Sequence, residues 1–364
     1  MTDPASIAAR VFAHLGKKNG TRETATYVAL PGNGAARWLL PLGRPETASV
    51  LASWSPYRLR SRVAWSAVRW ACRAGALARI PATSELEVAC PCAMDWEEVG
   101  WRNQRPPIPV IYLGTMGPRR KAIVHLVEQA TGKCQAVVKV PLTVEAKLAV
   151  LREAEVLAAL EAEGFAPAPR VLYVDRTKGI TTQTFVEGRS GPRRMNPGIW
   201  QLLRSLLLPG ETMSLSAYAD RWAKELGDGG EDSQITCVLH ELQGDDSPLP
   251  ACREHGDFAP WNIRRSFDGP CMLIDWEDAQ RNSLPLQDAF HFLHMQDFVF
   301  GAEPALHAQD ICAKARDMEL TPGQCCKLEA TYLTSQFVQC AQRKNLERQR
   351  FLSATLARWR RRDG

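Results

Sequence analysis

"HGDFAPWN", His255 to Asn262, sets the problem on which the fold turns. An aspartate and an asparagine stand five positions apart, with Gly256 ahead of them and Pro260 between to shape the chain. Both residue types bind metals through oxygen, and the aspartate can also take a proton. The following stretch, "IRRSFDGPCMLIDWEDA" (Ile263 to Ala279), reads as strand, an Asp268-Gly269 turn, strand, and then Asp275 at the strand end. A hairpin of this size returns Asp275 toward Asn262. A polar turn alone would not need a second acid brought back in this way.

Transfer of a phosphoryl group from a nucleotide asks for a specific set of side chains. Backbone amides of a glycine turn approach the phosphates, and a lysine held by a helix glutamate fixes them. A carboxylate orients the acceptor hydroxyl, and an Asn and an Asp carry Mg²⁺. Asp257 and Asn262 have the D-x-x-x-x-N spacing of such a catalytic loop. Asp257 is then the base that accepts the hydroxyl hydrogen. Asn262 and Asp275 are the metal ligands, and His255 supports the loop backbone.

The remaining members lie upstream in a workable order. Gly114 and Gly117, in "LGTMGPRRK", fall between two predicted strands. Pro118 removes one amide a phosphate could use, and Arg119, Arg120 and Lys121 add charge. Lys139 sits in the strand "CQAVVKV". Fourteen residues on is Glu153, in "TVEAKLAVLREAEVLAALEAEG", the clearest helix of the chain, with Gly164 at its C-terminal cap. A buried ammonium needs such a partner. Glu145 and Glu155 share the helix and are rivals for the same lysine.

Bulk composition is consistent with a folded enzyme and excludes several classes. The 364 residues are 45% hydrophobic and 23% charged, which suits two or three compact units. A net charge of +5 tolerates an anionic ligand but does not mark a nucleic-acid binder. No apolar run reaches the length of a membrane span, and the N-terminus lacks a secretory pattern, so a cytoplasmic protein is expected. The eleven cysteines are scattered without a C-x-x-C pair and are expected to be reduced, Cys90-Pro-Cys92 included.

The first 105 residues read as an extension of unknown role. "TYVALP" and "RWLLPLG" are predicted strands around the turn "GNGA" (Gly32 to Ala35). "YRLRSRVAWSAVRWACRAGALARI" (Tyr57 to Ile80) is a predicted amphipathic helix rich in arginine, read as a solvated basic face over a buried tryptophan edge, with contact of Arg58, Arg60, Arg62, Arg69, Arg73, Trp65 and Trp70 to phosphates or a membrane surface as the alternative. "QRPPIP" (Gln104 to Pro109) is the expected linker, followed by units at 106–187 and 188–364.

These motifs together resemble the aminoglycoside phosphotransferase and choline kinase-like family. "HGDFAPWN" resembles its catalytic loop and "LIDWEDA" its metal-binding strand. "VVKV" with the helix after it resembles its lysine strand and helix, and "TTQTFVEG" its interlobe hinge. The resemblance implies an α+β, two-lobed protein-kinase-like fold, with a small β-rich lobe, a mainly helical lobe and here an additional N-terminal α/β extension. It implies ATP and Mg²⁺ as cofactors and a small-molecule hydroxyl as phosphate acceptor. It also implies that Thr184, Phe185 and Val186 meet adenine through their backbone.

For the acceptor, acids from Asp275 to Asp310 (Asp275, Glu277, Asp278, Asp288, Asp297, Glu303, Asp310) face a single Arg281 in sequence. Two readings stand: a cationic acceptor, an amino sugar or amino alcohol, held against Asp288 and Glu277 with Trp261 or Trp276 adding a cation–π contact, or a set of solvated helix acids. The alternative from another class is a catalytically idle nucleotide-binding scaffold that works through the extension. A two-metal phosphoesterase would need more metal-binding histidines, because His291 and His294 read as helix packing residues. A protein kinase would carry D-F-G and A-P-E patterns, which the chain lacks.

Overall fold

Alternation of inward and outward side chains, rather than turn chemistry, organises the first half of the protein. A computed structural model describes residues 3–16, 22–32, 35–91, 96–226, 233–265, 269–301, 311 and 313–363. Residues 33–34 of the "GNGA" turn, Cys92, the turn at Asp268, Glu303 and Asp310 lie outside these. The chain divides into two compact units, residues 1–190 with 264–277, and residues 191–263 with 278–364.

The first unit is built on β1 (Arg22–Leu30), β2 (Trp38–Pro41), β3 (Ser84–Pro91), β4 (Ile108–Leu113), β5 (Lys121–Val127), β6 (Cys134–Pro141), β7 (Val171–Asp175) and β8 (Ile180–Thr184). They form one antiparallel sheet in the order β3-β1-β2-β4-β5-β6-β8-β7. The N-terminal extension contributes to this same sheet. Its three strands continue the sheet of the next segment, through the pairing of Leu39 with Ile111 and Trp38 with Tyr112.

The period of two sorts side chains to the two faces. Tyr27, Ala29, Ile111 and Leu113 pack on one face with Ile7, Val11 and Phe12 of α1 (Pro4–Leu15). Val28, Leu30, Ile108 and Val110 pack on the other with α2 (Ala48–Ser53) and α3 (Leu59–Arg73), through Leu51, Trp65 and Val68. The predicted helix over Tyr57–Ile80 is shorter than expected because Gly75 adopts φ +67, a left-handed turn that ends it.

Helix α4 (Val144–Ala162) begins at Thr143, whose side chain accepts from the Ala146 N–H at 3.0 Å. Its buried positions, Ala146, Ala149, Val150, Glu153, Ala154, Leu157 and Leu160, follow helical spacing, so Glu153 lies on the apolar stripe. That placement is what makes its charge consequential. β9 (Arg189–Ser190) closes the unit by pairing with Arg264 and Arg265.

The second unit is mainly helical: α5 (Pro197–Ser205), α6 (Leu215–Leu226), α7 (Ser233–Leu242), α8 (Gln287–Phe300), α9 (Pro322–Gln342) and α10 (Leu346–Asp363). A three-stranded sheet, β10 (Leu207–Ser214), β11 (Pro248–Glu254) and β14 (Gln280–Ser283), accompanies them. Back in the first unit, β12 (Ile263–Arg265) and β13 (Cys271–Leu273) join β9 in a three-stranded sheet and precede Asp275. Every described cysteine is a free thiol. Among the described residues no helix is long and apolar enough to cross a membrane.

Candidate active site

In the first unit one carboxylate-rich cluster surrounds two lysines. Lys139 of β6 is 4% exposed, and its Nζ donates to Glu153 Oε1 at 2.7 Å and Oε2 at 2.6 Å. The same Nζ donates to Asp275 Oδ1 at 2.9 Å. Glu153 is fully buried and also accepts the Trp276 backbone N–H at 3.1 Å, which ties the segment after β13 to α4. Both rivals fall away. Glu155 is exposed and pairs with Arg176, and Glu145 is exposed in the first turn of α4.

A second ammonium enters from β5. Lys121 is 7% exposed, and its Nζ donates to Asp275 Oδ1 at 2.7 Å and to Glu277 Oε2. Sequence reading gave this lysine only a loop charge. Its signal was position: residue 121 opens β5, and Ile123 of that strand lies beside Lys139 in the ladder. Partial burial would raise the Asp275 carboxyl, but the Lys121 and Lys139 ammoniums override this and hold it well below the usual carboxylate range. Burial and the neighbouring Asp275 carboxylate push Glu277 up to about 7. Burial alone would lower Lys121, yet Asp275 and Glu277 raise it above the ordinary lysine value. Asp275 holds φ +71, a left-handed conformation that non-glycine residues rarely adopt, which marks this turn as over-determined by its surroundings.

In the second unit the loop between β11 and β12 fixes its aspartate from both sides. The Asn262 amide nitrogen donates to Asp257 Oδ2 at 2.8 Å and to the Asp257 carbonyl at 2.9 Å. Asp257 Oδ1 lies 3.1 Å from His291 Nε2 of α8. An ionised carboxylate can only accept, so Nε2 carries the hydrogen, and Nδ1 faces the Tyr332 hydroxyl at 3.5 Å. Burial holds His291 below its ordinary value, against the raising effect of the Asp257 carboxylate. The Asp257 side chain remains 30% exposed. The Asn262 amide oxygen is left as an acceptor.

Gly256 makes the loop possible. Its φ is +79, and a Cβ there would lie 2.5 Å from the Asp278 carbonyl oxygen. Asp288 of α8 accepts the backbone N–H groups of His255 at 2.7 Å and Gly256 at 3.1 Å. Burial, and then the Glu254 carboxylate, raise the Asp288 carboxyl. Asp288 and His291, one helical turn apart, thus hold the loop together. Neither function was read from sequence, although their i, i+3 spacing on one helix face was the available sign.

The acids expected to face a cationic acceptor make the following contacts. Asp288 is 4% exposed and its oxygens are spent on backbone donors. Glu277 is held by Lys121, and Asp278 by Arg343 at 2.6 Å. Trp276 is fully buried against Phe165. Trp261 remains half-buried, with its ring 6.4 Å from that of Phe300. Of these acids, Asp275, Glu277, Asp278 and Asp288 thus have partners within their own units.

The other expected residues lie as follows. Gly114 and Gly117 form a tight turn between β4 and β5, where the Gly114 N–H donates to the Lys121 carbonyl at 2.9 Å. A Cβ on Gly114 would sit 2.7 Å from that oxygen. At the expected hinge, the Thr184 N–H donates to Arg170 and the Phe185 N–H to Gln135, at 2.9 and 3.0 Å. Of the three hinge residues, Val186 has the N–H that no backbone carbonyl accepts among the described residues.

Comparison with known proteins agrees with the motifs. Residues 198–316 match the phosphotransferase enzyme family. That segment contains Asp257, Asn262 and Asp275, and the resemblance read from the sequence is met. No curated protein matches the chain. Among solved structures, a thermostable mutant of aminoglycoside phosphotransferase APH(4)-Ia in its apo form is similar at TM-score 0.50 and 14% identity, covering 70% of this chain and 94% of that one. At that identity the likeness shows the shared α+β fold. A choline/ethanolamine kinase family protein from Mesorhizobium loti gives TM-score 0.46 at 18% identity over 71% of this chain and 87% of its own. Choline kinase LicA from Streptococcus pneumoniae gives 0.47 at 16% identity over 67% and 92%.

Proposed function

We propose that the protein is an ATP- and Mg²⁺-dependent phosphotransferase that moves the terminal phosphate to a hydroxyl of a small molecule. The observation that carries this reading is the buried Lys139 ammonium held between Glu153 and Asp275. A buried ion cluster is weak as a stabilising device, since apolar packing of equal volume does as well or better. An ammonium fixed by a glutamate and facing an aspartate is what phosphate positioning needs. The family matched by residues 198–316 supports the same reaction class.

In this reading Lys139 binds phosphate oxygens and Glu153 keeps it in place. Asp257 accepts the hydrogen of the acceptor hydroxyl, and Asn262 and His291 fix the direction in which its carboxylate points. Strong basicity is not needed, because phosphoryl transfer passes through a loose transition state. Val186 is the hinge residue with an amide to offer adenine. The carboxamide oxygen of Asn262 and the carboxylate of Asp275 are hard oxygen donors that suit Mg²⁺. When bound, the ion would neutralise charge building on the phosphate oxygens. The acceptor in this reading is a small-molecule hydroxyl, with amino sugars and amino alcohols as the cationic candidates.

The idle-scaffold reading has one observation behind it: Asp275 Oδ1 is already taken by two ammoniums. Turnover separates the two. Wild-type protein and Asp257→Asn are incubated with ATP, Mg²⁺ and a library of amino sugars, amino alcohols and plain sugars, and ADP release is followed. Acceptor-stimulated release confined to wild type is expected. Nucleotide binding with no release for any acceptor would favour the scaffold.

A further inference from the structure

Helix α3 has two apolar faces, and only one of them is covered. Trp65, Val68, Ala71 and Cys72 face inward, and the Trp65 indole N–H donates to the carbonyls of Leu51 at 3.0 Å and Trp54 at 2.9 Å. Leu59, Val63 and Trp70 stay 74%, 65% and 72% exposed. At about 100° per residue these three lie within roughly 40° of one another, on the side opposite the buried stripe. Sequence reading assigned that outer face to solvated charge, because Trp70 was counted with the buried edge.

Charge borders the exposed apolar stripe. Arg60 flanks it on one side, and Arg62, Arg69 and Arg73 flank it on the other. Arg58 caps the N-terminus, and "LRSRVAWSAVRWACR" contains no acid. A helix face that simply met water would carry polar residues at 59, 63 and 70. A second copy of the same face would set arginine against arginine with no acid on the helix to answer. A stripe of Leu, Val and Trp edged by arginines instead matches the boundary between acyl chains and phosphate headgroups, where Trp and Arg are both favoured.

We propose that α3 is an interfacial helix that seats the protein on an anionic phospholipid surface. Leu59, Val63 and Trp70 enter the headgroup boundary while Arg58, Arg60, Arg62 and Arg73 meet lipid phosphates. The proposal is independent of the phosphotransferase chemistry, since none of these residues belongs to the candidate active site.

The test is flotation of the full-length protein with vesicles of phosphatidylcholine alone or enriched in phosphatidylglycerol. Wild type is expected to float with the anionic vesicles and to be released by high salt. The double variant Leu59→Ser, Trp70→Ser, at exposed positions, should keep its circular dichroism spectrum and lose binding by on the order of tenfold or more. Arg62→Gln with Arg73→Gln should lower binding by a similar factor on anionic vesicles only. Failure of wild type to float with anionic vesicles would overturn the proposal, as would equal flotation of the serine variant. So would a concentration-dependent dimer in analytical ultracentrifugation that Trp70→Ser abolishes, because the face would then belong to a second copy.

Discussion

Replacing Glu153 by alanine should unfold the first unit far more readily than replacing Glu155. Glu153 is fully buried, while its partner Lys139 is 4% exposed, so the variant leaves an ammonium in the interior. Removing one member of a buried ion pair costs about 3–5 kcal/mol. The Trp276 N–H also loses its acceptor, which adds about 1–3 kcal/mol for an orphaned buried donor. Against this, Asp275 stays 2.9 Å from Lys139 and recovers part of the loss. A net cost of about 4 kcal/mol follows. Glu153→Gln keeps an acceptor for Trp276 and should cost less, about 2–3 kcal/mol. Glu155→Ala breaks an exposed pair with Arg176 and should stay within about 0.5 kcal/mol. Urea unfolding followed by far-ultraviolet circular dichroism measures all three. A Glu153→Ala midpoint indistinguishable from that of Glu155→Ala would refute the burial argument, and with it the reason for reading Lys139 as held for a purpose.

Three further outcomes follow from the same contacts. Gly256→Ala, at φ +79 and with a Cβ 2.5 Å from the Asp278 carbonyl, should cost about 2–4 kcal/mol, whereas Gly164→Ala, at φ +72 with open space around it, should cost about 1 kcal/mol; comparison of their urea midpoints checks this. His125 is buried beside Trp38 and Phe185, and burial, aided by Arg264, pushes it down to about 4. The unfolded chain protonates from about pH 6.5, so stability falls between about pH 6.5 and 4 by about 3 kcal/mol from this group, a loss that the difference between wild type and His125→Phe should isolate. His291→Phe frees Asp257 Oδ1 and should lower kcat on the order of tenfold or more with little change in KM. His291→Gln, which restores a donor, should recover part of that loss, and recovery of nothing would make His291 a packing residue after all.

Local signals carried most of what was legible before any coordinates. The Lys139–Glu153 pair follows from a strand and a capped helix adjacent in sequence, and the Asp257–Asn262 contact spans one short loop. Pairings between distant segments were not legible. Nothing in "RWLLPLG" states that Leu39 will lie beside Ile111, so the sequence shows an N-terminal extension without showing which sheet its strands join. For the acids from Asp275 onward, too, sequence shows charges without their partners. Lys121 lies 154 positions from Asp275, and Arg343 lies 65 from Asp278. The exposure of Trp70 was hidden for the same reason.

Phosphorus NMR on wild type and Asp257→Asn, each with ATP, Mg²⁺ and the hydroxyl-bearing compound that most stimulates ADP release, tests phosphate transfer at its source. A new phosphomonoester signal that grows as the ATP signals decline should appear with wild type. It should be slowed by two to four orders of magnitude, as an estimate, in a folded Asp257→Asn. ATP left intact by wild type, or equal product from both proteins, would contradict the assignment of Asp257 and the reaction built on it.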